Sequence, residues 1–270
     1  MAPKGDEMFR IGLMGLGAIG EQVAAAIESG VRPDVKIVSV LVRRPRAEKY
    51  DFMVTNDPDA FFKVEVDAYV EGAGHSAVQA HAERALKKAD MMITSVGALT
   101  DDALRERLIA TAKANSHRLI LPSAGIGALD TLAGAAIGGL DEVVMTVRKQ
   151  PSAWFGTEAE GMVDLKTLRK PFTVYEGPVR DGARRYPQNV NISAAVALAG
   201  AGLDKTHLII IADPTIATHV IEVRARGAFG SFTFVEDILP TESNPKTGMI
   251  VGMAVVKAVR QLSSPLVIGL

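Results

Sequence analysis

Cysteine is absent from the 270 residues. That single absence excludes disulfides, thiolate metal sites and a cysteine nucleophile, and it fits a reducing compartment. Net charge is almost absent as well. Thirty basic against 31 acidic side chains leave −1, too balanced for bulk attraction to nucleic acid or to an anionic membrane. Long apolar runs are missing too. The longest alanine-rich one, ISAAVALAGAGL, falls well short of the ~20 residues that span a bilayer. The opening MAPKGDEMFR has no apolar stretch of the signal-peptide kind. No internal repeat and no low-complexity linker interrupts the chain. A soluble, cytoplasmic protein with no nucleic-acid or membrane partner is the expectation.

What is present is 48% apolar side chains, enough for a substantial interior. The length suits one large domain and a smaller dependent one. Over the first half, short apolar segments alternate with helical ones. Strands are expected at 8–14, 35–42, 91–97 and 117–123, with a shorter one before Gly72. Helices are expected at 18–30, from His75, and at 101–116, the last with acidic residues in its first turn. Buried strands separated by helices imply a parallel sheet covered on both faces. After about residue 140 the pattern becomes strand-rich, with period-two alternation in EVVMTVRK, HLIIIAD, THVIEVRAR and GSFTFVED. An antiparallel or mixed sheet follows, with a helix at 193–202 and another after NPKTG.

The fold class read from this pattern is α/β. It comprises an N-terminal parallel sheet with helices on both faces and a second, α+β part with a mixed sheet.

Gly15, Gly17 and Gly20 form GxGxxG between the first strand and the first helix, GLGAIG. The first glycine permits the tight turn. The second lets the backbone approach a pyrophosphate, and the third lets the helix close on the sheet. The helix start at Ala18 and Ile19 then faces the phosphate charge. A Gly-rich helix start without a ligand is the plainer alternative. Where an acidic residue would grip a ribose 2′-hydroxyl, the second strand instead ends in LVRRPR. Arg43, Arg44 and Arg46 suit a 2′-phosphate or stack on adenine, so NADP is expected beside NAD. A solvated basic loop explains them equally well. Further cofactor contacts would come from Gly74 and His75 in EGAGH and from Ser123 and Ala124 in LPSAG, which stand at strand ends.

Five histidines are present. His81 and His117 read as structural or solvated, and His207 as a strand edge. His219 shares the apolar side of its strand with Ile221, Val223 and Ala225 by alternation. A hydrogen-bonded core role and a proton-transfer role both fit that position; an ordinary imidazole titrates near ~6.5, close to working pH. Asn189 and Asn191 precede an apolar helix, where they would cap it or reach a ligand. Lys246 and Thr247 of NPKTG lie at an expected helix start, as caps or as an anion site.

Together the segments GLGAIG, VEGAGHSAVQAH, SVGAL, LPSAGIGALD, YPQNVNISAAVALAG, ADPTIATHVIEV and NPKTG resemble the L-aspartate dehydrogenase family, over about residues 9–262. The resemblance implies an N-terminal Rossmann, doubly wound dinucleotide-binding domain over 1–125, joined by a C-terminal helix over 245–270. It implies an α+β mixed-sheet substrate, catalytic and dimerisation domain over 126–244, NAD or NADP as cofactor, and a homodimer. It also implies oxidation of L-aspartate to iminosuccinate, and then to oxaloacetate and ammonia, with a link to NAD biosynthesis. By the family pattern His219 is catalytic, and Ala124 and Asn189 contact the cofactor. Ser123, Asn191, Lys246 and Thr247 are the candidates for the substrate's carboxylates. No metal is implied, because the nicotinamide is the electron acceptor. Alternatives are another enzyme like homoserine dehydrogenase or dihydrodipicolinate reductase, the latter disfavoured by the absence of an HH pair, and a non-catalytic NADP-binding redox sensor.

Overall fold

The computed structural model describes residues 8–30, 34–46, 50–187, 191–241 and 247–269. They form two compact units, 1–122 with 252–270, and 123–251.

The first unit starts with β1 (Phe9–Met14), α1 (Ala18–Glu28), β2 (Val35–Leu41), β3 (Met53–Thr55) and α2 (Pro58–Lys63). It continues through β4 (Ala68–Glu71), α3 (His75–Leu86), β5 (Asp90–Ile93), α4 (Asp102–Ala114) and β6 (Leu119–Ile120). The six strands are parallel in the order β3-β2-β1-β4-β5-β6. The chain winds one way from β1 to β3 and the other way from β4 to β6. This is the doubly wound arrangement, with its switch point between β1 and β4. The central strands β1, β4 and β5 are almost wholly buried, as a sheet covered on both faces requires, while the edge strands β3 and β6 are only half-buried or exposed. Ile11, Leu13, Val23, Ile27, Ile37, Val40 and Val70 share one core.

Two expected strands come out shorter. The 91–97 segment pairs only to Ile93, and Val96–Thr100 turns into a 3₁₀ helix. The cause is side-chain competition, because Ser95 gives its N–H and hydroxyl to Glu71. The 117–123 segment pairs only at Leu119 and Ile120. Pro122 has no N–H to extend the ladder.

The second unit contains α5 (Leu129–Ile137), β7 (Leu140–Lys149), β8 (Phe172–Pro178), α6 (Val179–Arg185), α7 (Asn191–Ala199), β9 (His207–Ala212), β10 (His219–Gly227) and β11 (Gly230–Ile238). Its sheet runs β11-β10-β7-β9-β8. Only β7 and β9 pair in parallel; the other three pairings are antiparallel, so the sheet is mixed. Alternation does not reveal β8, because a register shift between Thr173 and Tyr175 puts Val174 and Tyr175 inside consecutively.

The last helix, α8 (Ile250–Ser263), belongs to the first unit from Gly252 onward. Val255 and Val259 join the core around β1 and α1, and Ser263 Oγ donates to Asp34 at 3.0 Å. No helix among the described residues is long and apolar enough to cross a membrane.

Candidate active site

In the first unit the strand ends are level. Met14 stands beside both Leu41 and Glu71, and Glu71 stands beside Ile93. The loops that leave β1, β2, β4 and β5 therefore rise from one row, on the side where open α/β sheets bind ligands. The glycine motif sits at the centre of that row. Gly15 turns at φ +94°, and a Cβ there would lie 2.9 Å from Ala73 Cβ. At Gly20 a Cβ would fall 2.1 Å from the Gly15 carbonyl oxygen. The turn itself thus requires both.

Gly17 is different. It adopts φ −88°, and a Cβ there would meet nothing within 4 Å. Neither strain nor crowding explains its lack of a side chain, and the open space leaves its backbone accessible to a ligand. Gly17 precedes the first helical residue of α1 and makes no side-chain cap. The N–H groups of Ala18, Ile19 and Gly20 form the opening turn, where helices leave donors for an anion. These residues fit a dinucleotide's pyrophosphate.

Glu71 braces the neighbouring loops. It is fully buried. Its Oε1 accepts from Ala73 N at 2.6 Å, Gly74 N at 2.7 Å and Ser95 Oγ at 2.9 Å, and its Oε2 from Ser95 N at 3.1 Å. Burial pushes this carboxyl above the usual range, against the pull of the four donors. One side chain so fixes Gly74, at φ +109° ahead of His75 and α3, and the turn after β5. Glu71→Gln would set an amide N–H₂ against a donor at a cost of ~1–3 kcal/mol. The expected result is a Tm lower by about 5 °C and weaker NADP binding, read by melting with and without NADP.

The basic cluster after β2 divides. Arg46 turns back to bond the Leu16 carbonyl, and it donates to Glu21 Oε1 at 2.9 Å. That bond to Glu21 raises its pKa further. Arg46 therefore holds the glycine loop. Arg43 and Arg44 are exposed beyond the end of β2.

In the second unit, one end of the mixed sheet collects polar side chains in the interior. His219 opens β10 and is 5% exposed. Lys149 ends β7 at 4%, and Asp213 follows β9 at 0%. Burial opposes charge on Asp213. Its bonds from Thr215 Oγ1 at 2.6 Å and Thr215 N at 2.9 Å, and from Arg148 Nε at 3.1 Å, prevail and hold its carboxyl below the usual range. A lowered folded pKa means stability that is present above the unfolded value, ~3.9, and lost as pH falls through the folded one. Asp213→Asn should lower Tm at pH 7 by the worth of a charged hydrogen bond, ~1.5–3 kcal/mol. It should also flatten the loss of stability below pH ~4, as acid titration followed by circular dichroism would show.

Ser123 and Ala124 open the second unit. Ser123 is exposed and Ala124 half-buried, and both stand beyond the short β6 rather than at the end of a strand through 123. Three residues past Ala124, Gly127 N–H donates to Glu236 Oε1 of β11 at 2.9 Å. Burial raises the Glu236 carboxyl. Asn191 is the first residue of α7.

Thr247 does not start a helix, as the sequence had suggested for the Lys246–Thr247 pair. Gly248 bridges to Pro240, Thr241 N–H donates to the Thr247 carbonyl at 2.8 Å, and α8 begins only at Ile250. Asn189 and Lys246 lie outside the described residues. Of the other histidines, His117 Nδ1 sits 2.7 Å from the Leu86 carbonyl and His207 Nε2 3.2 Å from Glu176 Oε1. His81 packs near Phe62, and burial lowers its pKa.

Known proteins match both units. The profile of "Aspartate dehydrogenase, C-terminal" covers residues 130–262, and that of "Homoserine dehydrogenase, NAD binding domain" covers 15–122. L-aspartate dehydrogenase of Ralstonia pickettii is 39% identical over 93% of this chain and 96% of its own. That of Ruegeria pomeroyi is 40% identical over 96% and 94%.

The chain belongs to the L-aspartate dehydrogenase family. Its fold matches the crystal structure of aspartate dehydrogenase from Thermotoga maritima with a TM-score of 0.78, at 24% identity, over 97% of this chain and 100% of the other. A homoserine dehydrogenase from S. aureus shares the architecture more loosely, with a TM-score of 0.56 at 15% identity over 95% and 80%. Two polar residues of this family member escape local pattern reading, Glu71 and Lys149. Glu71 ends the apolar run AYVE with a charge, whereas Lys149 stands between Arg148 and Gln150. That break was the available signal for Glu71; the sequence around Lys149 offers none.

Proposed function

We propose that this family member oxidises L-aspartate at Cα, with NAD or NADP as oxidant. The product is iminosuccinate, which water converts to oxaloacetate and ammonia. The observation that carries the reading is identity of about 40% to L-aspartate dehydrogenases across nearly the whole chain. Residues 1–125 with 245–270 act as the cofactor domain, and 126–244 as the substrate and dimerisation domain.

The backbone of Gly15, Gly17, Ala18, Ile19 and Gly20 holds the pyrophosphate. Arg43 and Arg44 meet the adenosine end, where guanidinium groups favour a 2′-phosphate. Gly74, His75, Ser123, Ala124 and Asn189 complete the cofactor contacts. The bound nicotinamide supplies the hydride acceptor. His219 takes the proton from the substrate nitrogen, so that the nitrogen lone pair can form the C=N bond as hydride leaves Cα. Ser123, Asn191, Lys246 and Thr247 bind carboxylates. We further propose that the protein works in the cytoplasm as a homodimer, and that its imine product feeds NAD biosynthesis.

The test is absorbance at 340 nm with a panel of L-amino acids and both cofactors. Aspartate-dependent reduction of NAD or NADP is the expected outcome. Tight NADP binding without turnover of any amino acid would overturn the reading in favour of a redox sensor.

A further inference from the structure

Burying an ammonium is costly, and among the described residues Lys149 is the only lysine or arginine buried to this degree. It ends a strand whose inward positions are otherwise Val143, Met145 and Val147. The antiparallel register between β7 and β10 runs through Val147 beside Ile221 and Arg148 beside Val220. One further step places Lys149 opposite His219. Both side chains lie on the buried face, with Ile221, Val223 and Ala225 continuing it along β10. Directly opposed residues in such a pair have Cβ atoms ~4.5–5.5 Å apart. Arg148 and Asp213 bond to each other, and Arg148 points to the other face by the strand's alternation. The buried face thus carries a lysine and an imidazole on neighbouring strands.

We propose that Lys149 is a substrate-binding residue, and that its ammonium takes the α-carboxylate of the amino acid on which His219 acts. This rests on the reading of His219 as the base for aspartate. The chemistry is local. The α-carboxylate and the amine share one carbon, so anchoring the first on one strand delivers the second to the neighbouring strand. A cation shielded from water holds a carboxylate far more firmly than an exposed one. The position also selects. An amine lacking the geminal carboxylate gains nothing from Lys149 and is not held against the imidazole.

The experiment compares wild type with Lys149→Met, Lys149→Gln and Lys149→Arg. It measures KM and kcat for L-aspartate, and titrates succinate into the NADPH-loaded enzyme by calorimetry. In the neutral variants KM is expected to rise at least tenfold, with a smaller change in kcat and unchanged NADPH affinity. Succinate binding should weaken at least tenfold, and Lys149→Arg should recover part of both. A KM and a succinate affinity within threefold of wild type in a folded neutral variant overturn the proposal. So does failure of both neutral variants to fold, which would make the charge structural. Should wild type not oxidise aspartate, the activity reading fails by itself. The succinate titration then still decides whether Lys149 binds a carboxylate.

Discussion

Replacing His219 with alanine is expected to lower kcat/KM for aspartate by roughly 10²–10⁴-fold, the usual worth of a positioned general base. The substrate arrives as an ammonium, and its nitrogen has no lone pair until a proton leaves. His219 is 5% exposed and heads a strand whose inward neighbours are Ile221 and Val223. Little bulk water reaches that position to take the proton instead. NADP affinity should stay within about twofold, because the glycine motif belongs to the other compact unit. Two signatures separate lost chemistry from lost structure. The acid limb of the kcat/KM profile, where the base becomes protonated, should vanish in the variant. Added imidazole should restore part of the rate. A fall of less than ~10-fold with NADP still bound would remove His219 from the mechanism.

The buried face on which His219 lies was legible in the sequence because alternation is local. Four inward residues at spacing two reveal one face, and the buried positions of β10 follow it. The glycine motif was legible for the same reason, since the turn and the opening of α1 occupy ten consecutive residues. Lys149 was not, because its significance is register. Nothing within five positions of it shows that the next strand over begins with a histidine. Glu71 was hidden similarly, since two of its four donors come from Ser95, 24 residues away. The arginines after β2 were visible as a cluster, but their division was not. That Arg46 bends back to Leu16 and Glu21 depends on where α1 lies, which no spacing between residues 16 and 46 encodes. The Thr247 turn misled for a related reason. NPKTG suggested a helix start, whereas Gly248 bridges to Pro240 and α8 begins only at Ile250.

The second large effect is expected at Gly17, where fold and function pull in opposite directions. A side chain here meets no protein atom within 4 Å, and the backbone is already at a negative φ. Gly17→Asp would place a carboxylate at the N-cap of α1, where such groups stabilise helices by a few tenths of a kcal/mol over glycine. The Tm of the ligand-free protein should therefore hold or rise by about 1 °C. The same carboxylate would occupy the space and oppose the charge of a pyrophosphate on that helix start. NADP affinity should fall at least ~100-fold, equivalent to ~2.7 kcal/mol. Gly20→Ala supplies the contrast. Its Cβ would lie 2.1 Å from the Gly15 carbonyl, so stability and cofactor binding should fall together. Melting curves and fluorescence titration with NADPH on both variants read the two quantities separately. A Gly17→Asp protein that melts normally and binds NADPH within threefold of wild type would show that the glycine loop does not carry the cofactor. An Asp variant that is destabilised as much as Gly20→Ala would show that the open space at Gly17 serves the fold.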